Sequence, residues 1–309
     1  MVDFLERIAN KLDKSYSLRK LSDDTRMKVP VIRTRALGID YVFRTGGFPR
    51  GRVIELFGSE SSGKTTLALF IADAFIRAGG NVLYIDAEHA LDLTYMKKLG
   101  LDFTKIVLNQ PDSGEEAVEV AHQAAIASDS EDKTLIVIDS VASLVPQKEL
   151  DNPMNKESIG LQARLMSKFM RKIKGVASQH DVTVICINQI RMKIGVFFGN
   201  PETTPGGLAL KFYSSVRMEV KRIQTIKSKG KPIGIRSRLR IVKNKLGCPC
   251  FQTEFEIKKG RGIDYVLNSF EGMKECGILN GRSLDDVRIL LKSKPKTLKK
   301  IRALMTEGS

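Results

Sequence analysis

The sequence predicts an α/β protein with a mainly parallel central sheet, a helical N-terminal arm and a small helical C-terminal region. Three observations carry this. Short apolar runs of strand length alternate with helical patterns between residues 53 and 189. A glycine-rich turn joins the first of these runs to the first helix. After Pro205 the strand patterns continue with no helical pattern between them. Strands that alternate with helices form parallel sheets covered on both faces, whereas consecutive strands extend such sheets in antiparallel fashion.

Taken in order, Phe4, Leu5, Ile8 and Leu12 recur at helical spacing, which predicts an amphipathic helix from Asp3 to about Ser15. The polar stretch Asp23 to Lys28 reads as a linker, so residues 1–27 are set apart from the core. The strands follow: VIELFG (53–58), NVLYID (81–86), KIVLNQ (105–110), TLIVID (134–139) and VTVICINQ (182–189). Helical patterns separate them over Lys64 to Arg77, Ala90 to Leu99, Glu115 to Ala127 and Ser158 to Ala177. Ser113 with Glu116 predicts a capping box for the third helix. Lys211 to Ile223, Ser237 to Lys243 and Thr253 to Lys258 read as further strands. From about Gly262 the chain turns helical, with Ser283 and Asp286 as a capping pair. The core is therefore assigned to residues 28–262 and a small basic region to 263–309.

Composition excludes several classes. Hydrophobic residues make up 42% of 309, too many for a disordered chain. No stretch approaches the roughly 18 consecutive apolar residues of a membrane span. The charged, amphipathic N-terminus lacks a secretory apolar segment. No membrane partner and a cytoplasmic location are expected. Of the four cysteines, Cys186 lies in an apolar run, and Cys248-Pro-Cys250 lacks the spacing of a zinc site. The net charge of +16 is concentrated in two blocks. Residues 205–261 hold fifteen Lys/Arg against three Glu, and residues 281–309 hold eight against three acids. Such blocks fit a polyanion, and nucleic acid first.

The clearest motif is Gly58-Ser59-Glu60-Ser61-Ser62-Gly63-Lys64-Thr65-Thr66, a match to G-x4-G-K-[ST]. It follows a strand and opens a helix, as phosphate binding demands. The glycines let backbone N–H groups converge on phosphate oxygens, and the helix N-terminus adds partial positive charge. Lys64 is expected at the β- and γ-phosphates of ATP, and the Thr65 hydroxyl on Mg²⁺. Asp139, ending the run Leu135 to Ile138, stands where a second Mg²⁺ anchor belongs. Asp86, Glu88 and His89 follow the strand 81–86 and fall at the carboxyl edge of the sheet. Glu88 is the candidate carboxylate for activating water.

At this point the sequence resembles the bacterial RecA recombinase family. The resemblance rests on GSESSGKTTLAL, YIDAEHALD (84–92), VIDSVASLVP (137–146), INQIRMKIGVFFGNPETTPGGLALKFYSSVR (187–217) and VKNKLGCP (242–249). It runs from about Gly46 to Gly262, and it implies a RecA-type P-loop ATPase core. It also implies roles. Glu88 would activate the hydrolytic water. Asp92 and Tyr95 would contact adenine. Gln189 would sense the γ-phosphate and relay it to the following loop. Lys243 and Lys245 would reach the ATP of a neighbouring protomer, so that the site is complete only in a filament. Arg164, Ser167, Arg171, Arg191, Gly206 and Gly207 match positions that hold single-stranded DNA, near loops at about Glu149–Gly160 and Ile190–Pro205. The N-terminal helix would pack on the adjacent protomer.

The residues themselves fit this assignment. The second loop mixes Arg191 and Lys193 with Phe197, Phe198 and two glycines, a composition suited to phosphates and unstacked bases. Arg164, Lys168 and Arg171 lie off the apolar stripe of their helix. Departures from the family pattern fall at Leu208, often Asn, at Lys259, often aromatic, and after Gly262, where a fuller domain and an acidic tail are usual. The expected activity is filament formation on single-stranded DNA, pairing with homologous duplex DNA and strand exchange, with DNA-dependent ATP hydrolysis. A self-cleaving repressor is a further partner of such filaments. The alternatives are a hexameric helicase motor on the same core and a scaffold that protects DNA or promotes repressor self-cleavage.

Overall fold

The computed structural model describes residues 29–153, 160–192, 202–279, 281–292 and 295–307, with Ile8 and Lys11. The predicted arm helix apart from Ile8 and Lys11, and most of the two predicted DNA loops, including Lys193, Phe197 and Phe198, lie outside these residues. The chain divides into two compact units, residues 1–30 and 31–309. The second unit opens with β1 (Val31–Ile32), α1 (Leu37–Tyr41) and β2 (Phe48–Pro49). The alternating part then runs β3 (Val53–Gly58), α2 (Lys64–Arg77), β4 (Val82–Asp86), α3 (Leu93–Leu99), β5 (Ile106–Asn109), α4 (Gly114–Ala127), β6 (Leu135–Asp139), α5 (Gln147–Leu150), α6 (Leu161–Gln179) and β7 (Thr183–Gln189). It is followed by β8 (Arg191–Met192), β9 (Glu202–Thr203), α7 (Ala209–Tyr213), β10 (Val216–Ser228), β11 (Lys231–Asn244), β12 (Gln252–Lys258) and β13 (Gly262–Ile263). Three helices close the unit: α8 (Tyr265–Glu275), α9 (Leu284–Leu291) and α10 (Pro295–Glu307).

Nine strands form one sheet in the order β13-β12-β11-β10-β3-β7-β6-β4-β5. From β10 to β5 every neighbouring pair is parallel, and β11, β12 and β13 add antiparallel strands at the other edge. The strand expected from Lys211 begins only at Val216, because Ala209–Tyr213 is helical. This strand enters parallel to β3, and the antiparallel extension begins one strand later.

The interior strands bury both faces, so alternation in them is a matter of side rather than of polarity. Ile54, Val82, Tyr84, Leu135, Val137, Ile185 and Ile187 face a cluster that includes α2. Val53, Leu83, Ile85, Ile136, Ile138, Val184 and Cys186 face the opposite cluster with α4 and α6. Ser113 caps α4 by accepting from the Glu116 N–H at 3.2 Å, worth about 1 kcal/mol. The Glu116 carboxylate reaches Asp112 N instead, so the predicted box is half formed. At α9 both halves of the Ser283/Asp286 box are present. A third cluster joins Leu37 of α1 to Met273, Val287, Ile301 and Met305.

Candidate active site and nucleic-acid interface

Four strands that are adjacent in the sheet deliver the candidate residues. Gly58 at the end of β3 is in register with Gln189 at the end of β7, and Asp139 at the end of β6 with Asp86 at the end of β4. All four therefore lie along one carboxyl edge, the usual place for a ligand crevice in a parallel sheet.

The glycine-rich turn Gly58–Thr66 occupies this edge and leads into α2. Gly63 is the N-cap of α2 at φ +97°, and a Cβ there would come within 2.3 Å of Ile257 Cδ1. Only glycine accommodates both the left-handed backbone and that contact. Ser59, Glu60 and Ser61 are exposed, whereas Ser62 is fully buried and its hydroxyl has no hydrogen-bond partner among the described residues. Lys64 Nζ donates to the Ser59 carbonyl at 2.8 Å, folding back over the turn. Burial lowers the Lys64 pKa, opposed by the charges of Asp139, Glu88 and Glu60. Thr65 Oγ1 donates to Asp139 Oδ2 at 2.9 Å. Burial raises the Asp139 pKa, while hydrogen bonds from Tyr84 and Thr65 hold it down. An ammonium over the turn, a buried hydroxyl left without a partner and a hydroxyl–carboxylate pair at the helix start together fit a nucleotide phosphate with a hard divalent cation.

Glu88 is exposed just beyond β4, and three donors converge on its Oε1. Ser140 Oγ lies at 2.5 Å, Gln189 Nε2 at 3.1 Å and Ser143 Oγ at 3.5 Å. Asp86 differs. It is buried, and its oxygens accept from Ala90 N, Leu91 N and Gln110 Nε2 at 3.0 to 3.2 Å, so it holds the loop that carries Glu88. Asp92 caps α3, accepting from Thr94 N and Tyr95 N at 2.8 and 3.0 Å. Tyr95 OH lies 3.2 Å from Thr66 Oγ1, which ties α3 to the glycine-rich turn.

Lys243 and Lys245 sit apart from this turn. Lys243 Nζ donates to the carbonyls of Lys211 and Phe212 at 2.5 and 3.0 Å, and Lys245 Nζ to that of Phe212 at 2.9 Å. Burial, then the neighbouring charges of Lys245 and Arg217, pulls the Lys243 pKa down to about 8. Nearby, the fully buried Glu55 pairs with Arg217 and accepts from Asn188 Nδ2, linking β3, β7 and β10 beneath the site.

The predicted DNA-contacting residues gather around α6. Arg164, Lys168 and Arg171 are exposed on one helical face, with Ser167 half-buried among them. Gly206 and Gly207 both have positive φ, +82° and +74°, and a Cβ on Gly207 would come within 2.9 Å of Ala163 Cβ. The chain leaving the second loop is thereby pressed onto the helix that bears Arg164. Arg191, on β8, is exposed.

Sequence reasoning missed Tyr84, Ser140, Ser143 and Gln162. Tyr84 OH donates to Asp139 Oδ2 at 2.7 Å. Burial first, then the nearby carboxylates, raises its pKa well above the usual value. Gln162 Nε2 reaches the carbonyls of Val141, Ala142 and Leu144, which fixes the turn after β6. Tyr84 carried a signal, being the one tyrosine among the five apolar runs.

The family model described as the RecA N-terminal domain matches residues 2–264. The Protein RecA of Clostridioides difficile is 49% identical over 265 residues, covering 85% of this chain and 75% of the relative. That of Paenarthrobacter aurescens is 44% identical over 319 residues, covering 98% and 91%. That of Mycobacteroides abscessus is 50% identical over 262 residues, covering 84% and 75%. Among solved structures, the crystal structure of the RadB recombinase shares the fold with a TM-score of 0.52 at 21% identity, covering 70% of this chain and 91% of that one.

Proposed function

This chain belongs to the RecA family, and we propose that it is an ATP-dependent DNA recombinase. It polymerises on single-stranded DNA, pairs that strand with homologous duplex and exchanges strands, hydrolysing ATP as it turns the filament over. The observation that carries this reading is the hydrogen bond from Gln189 to Glu88. It ties the carboxylate suited to activating water to the strand that runs directly into the second DNA loop. The helicase and scaffold alternatives have no comparable support.

In this reading Lys64 and the backbone of Gly58–Thr66 hold the phosphates. Thr65 and Asp139 hold Mg²⁺, which supplies charge neutralisation at the phosphates. Glu88 accepts a proton from water at Oε1 or Oε2, with Ser140 and Gln189 fixing its orientation. Asp92 and Tyr95 flank the adenine. Lys243 and Lys245 leave the α7 carbonyls to meet the phosphates of a neighbouring protomer. Arg164, Ser167, Arg171, Arg191, Lys193, Phe197, Phe198, Gly206 and Gly207 hold single-stranded DNA. Residues 28–262 are the ATPase core, with the arm 1–27 for self-association and the basic region 263–309 beside it. Electron microscopy of the protein with single-stranded DNA and a slowly hydrolysed ATP analogue tests this. Helical filaments are expected, and closed rings would overturn the reading.

A further inference from the structure

We infer that Tyr84 is a positioning residue for the magnesium site, its phenol pinning one oxygen of Asp139 and leaving the other to face the cation. The inference rests on the assignment of Asp139 as the metal carboxylate.

Tyr84 lies in β4, next to β6 in the sheet, and is 1% exposed. Its ring packs in the apolar cluster shared with α2. Its hydroxyl crosses to Asp139 Oδ2 at 2.7 Å. Thr65 Oγ1 donates to the same oxygen at 2.9 Å. Among the described residues no donor reaches Oδ1. A carboxylate offers about four lone-pair positions, and here both protein donors fall on one oxygen.

This asymmetry matters because the terminal torsion of an aspartate is soft, with a broad distribution. A strand-end aspartate held by one flexible threonine can rotate. Thr65 must also move slightly as its oxygen takes up a cation. The phenol is anchored instead by a ring locked in the core, so it fixes the carboxylate plane independently of the phosphate turn. Phenylalanine would fill the same space, and the hydroxyl adds only the bond to Asp139.

The test uses the full chain and Tyr84→Phe, which removes one oxygen and keeps the ring. Binding of a fluorescent ADP analogue is measured as Mg²⁺ is raised from zero, with no turnover involved. Thermal unfolding in EDTA is measured alongside. The variant is expected to bind the analogue as the parent does in EDTA. Its half-maximal Mg²⁺ concentration should rise about three- to tenfold, the scale of one ordinary net hydrogen bond. An unchanged Mg²⁺ midpoint with a lower melting temperature, or a variant that no longer folds, would make the phenol a core hydrogen bond and overturn the assignment. If the parent itself binds the analogue without regard to Mg²⁺, the reading of Asp139 as a metal carboxylate fails first, and this inference with it.

Discussion

Gln189 Nε2 donates to Glu88 Oε1 over 3.1 Å, joining residues 101 positions apart in the chain. One closes β7 and the other follows β4, with β6 between them in the sheet. Gln189 is therefore placed to feel both the orientation of Glu88 and the path of the chain into β8. Gln189→Ala should retain nucleotide binding and lose most of the stimulation of ATPase by single-stranded DNA. Full stimulation in the variant would remove Gln189 from the relay.

Glu88→Gln should keep nucleotide and DNA binding and slow hydrolysis by at least about 10²-fold, the lower range for losing a general base. Single-turnover ATP hydrolysis on preformed complexes is the measurement. Asp86 cannot readily substitute, since its oxygens are committed to Ala90, Leu91 and Gln110. Normal hydrolysis in Glu88→Gln would mean that water is activated from elsewhere.

Lys64→Ala should abolish turnover, whereas Lys243→Ala should impair it only in the assembled state. Mixing the two variants separates action within a protomer from action across an interface. Partial recovery is expected, from interfaces that combine an intact turn with an intact Lys243. No recovery would confine Lys243 to its own protomer.

If Lys243 meets a neighbour's phosphate as proposed, its pKa of about 8 in the protomer should give assembly a pH dependence. A phosphate from a neighbour would favour the charged form, so assembly takes up a proton near and above pH 8 and should weaken as pH rises through that range. Lys243→Arg stays charged throughout and should flatten the profile. Light scattering with a slowly hydrolysed ATP analogue between pH 6.5 and 9.5, run on both proteins, reads this directly (range chosen to span about one unit or more each side of the pKa). Parallel profiles would remove the lysine as the cause.

Arg302 of α10 lies over Asp40 at 3.1 Å and donates to the Thr34 carbonyl at 2.8 Å. Asp40 is 1% exposed, and burial pushes its pKa up to about 6 even with Arg302 opposing the shift. The folded carboxyl thus binds its proton more readily than the unfolded one. This group's contribution to stability falls as pH rises from about 4 to about 6. Arg302→Met should carry that fall to higher pH and cost up to about 3–5 kcal/mol where the carboxylate must still ionise, the range for leaving a buried charge unpaired. Melting curves between pH 4 and 8 decide it, and a variant as stable as the parent at pH 7 would show the pair to be dispensable. Arg302 is accordingly a structural cation. Any share of the α10 region in binding duplex DNA falls to Lys294, Lys296, Lys299 and Lys300. Changing these four to Gln should flatten the salt dependence of duplex binding while leaving melting unchanged, and an unchanged slope would end that role.

By itself the sequence determined the alternating strands and helices, the parallel sheet, the glycine-rich turn, and the polar residues Asp139, Gln189 and Glu88 at or just beyond strand ends. These are local signals: apolar runs of strand length, a fixed glycine spacing, and a polar residue where a run stops. The tertiary structure decided what those residues touch. It set the register that brings Gln189 to Glu88, committed Asp86 to the loop instead of the reaction, and placed Asp92 as a helix cap. It sent Lys243 and Lys245 onto the α7 carbonyls, turned Tyr84 from a core aromatic into a partner of Asp139, and made Arg302 a buried counter-charge to Asp40. It also moved the start of β10 to Val216, since Ala209–Tyr213 is taken by α7, which packs against α6. Periodicity fixes the side of an element on which a residue lies, but not which polar group meets it there. That choice depends on strand order, register and packing between segments up to 268 residues apart, and on the cost of leaving a buried donor or charge without a partner.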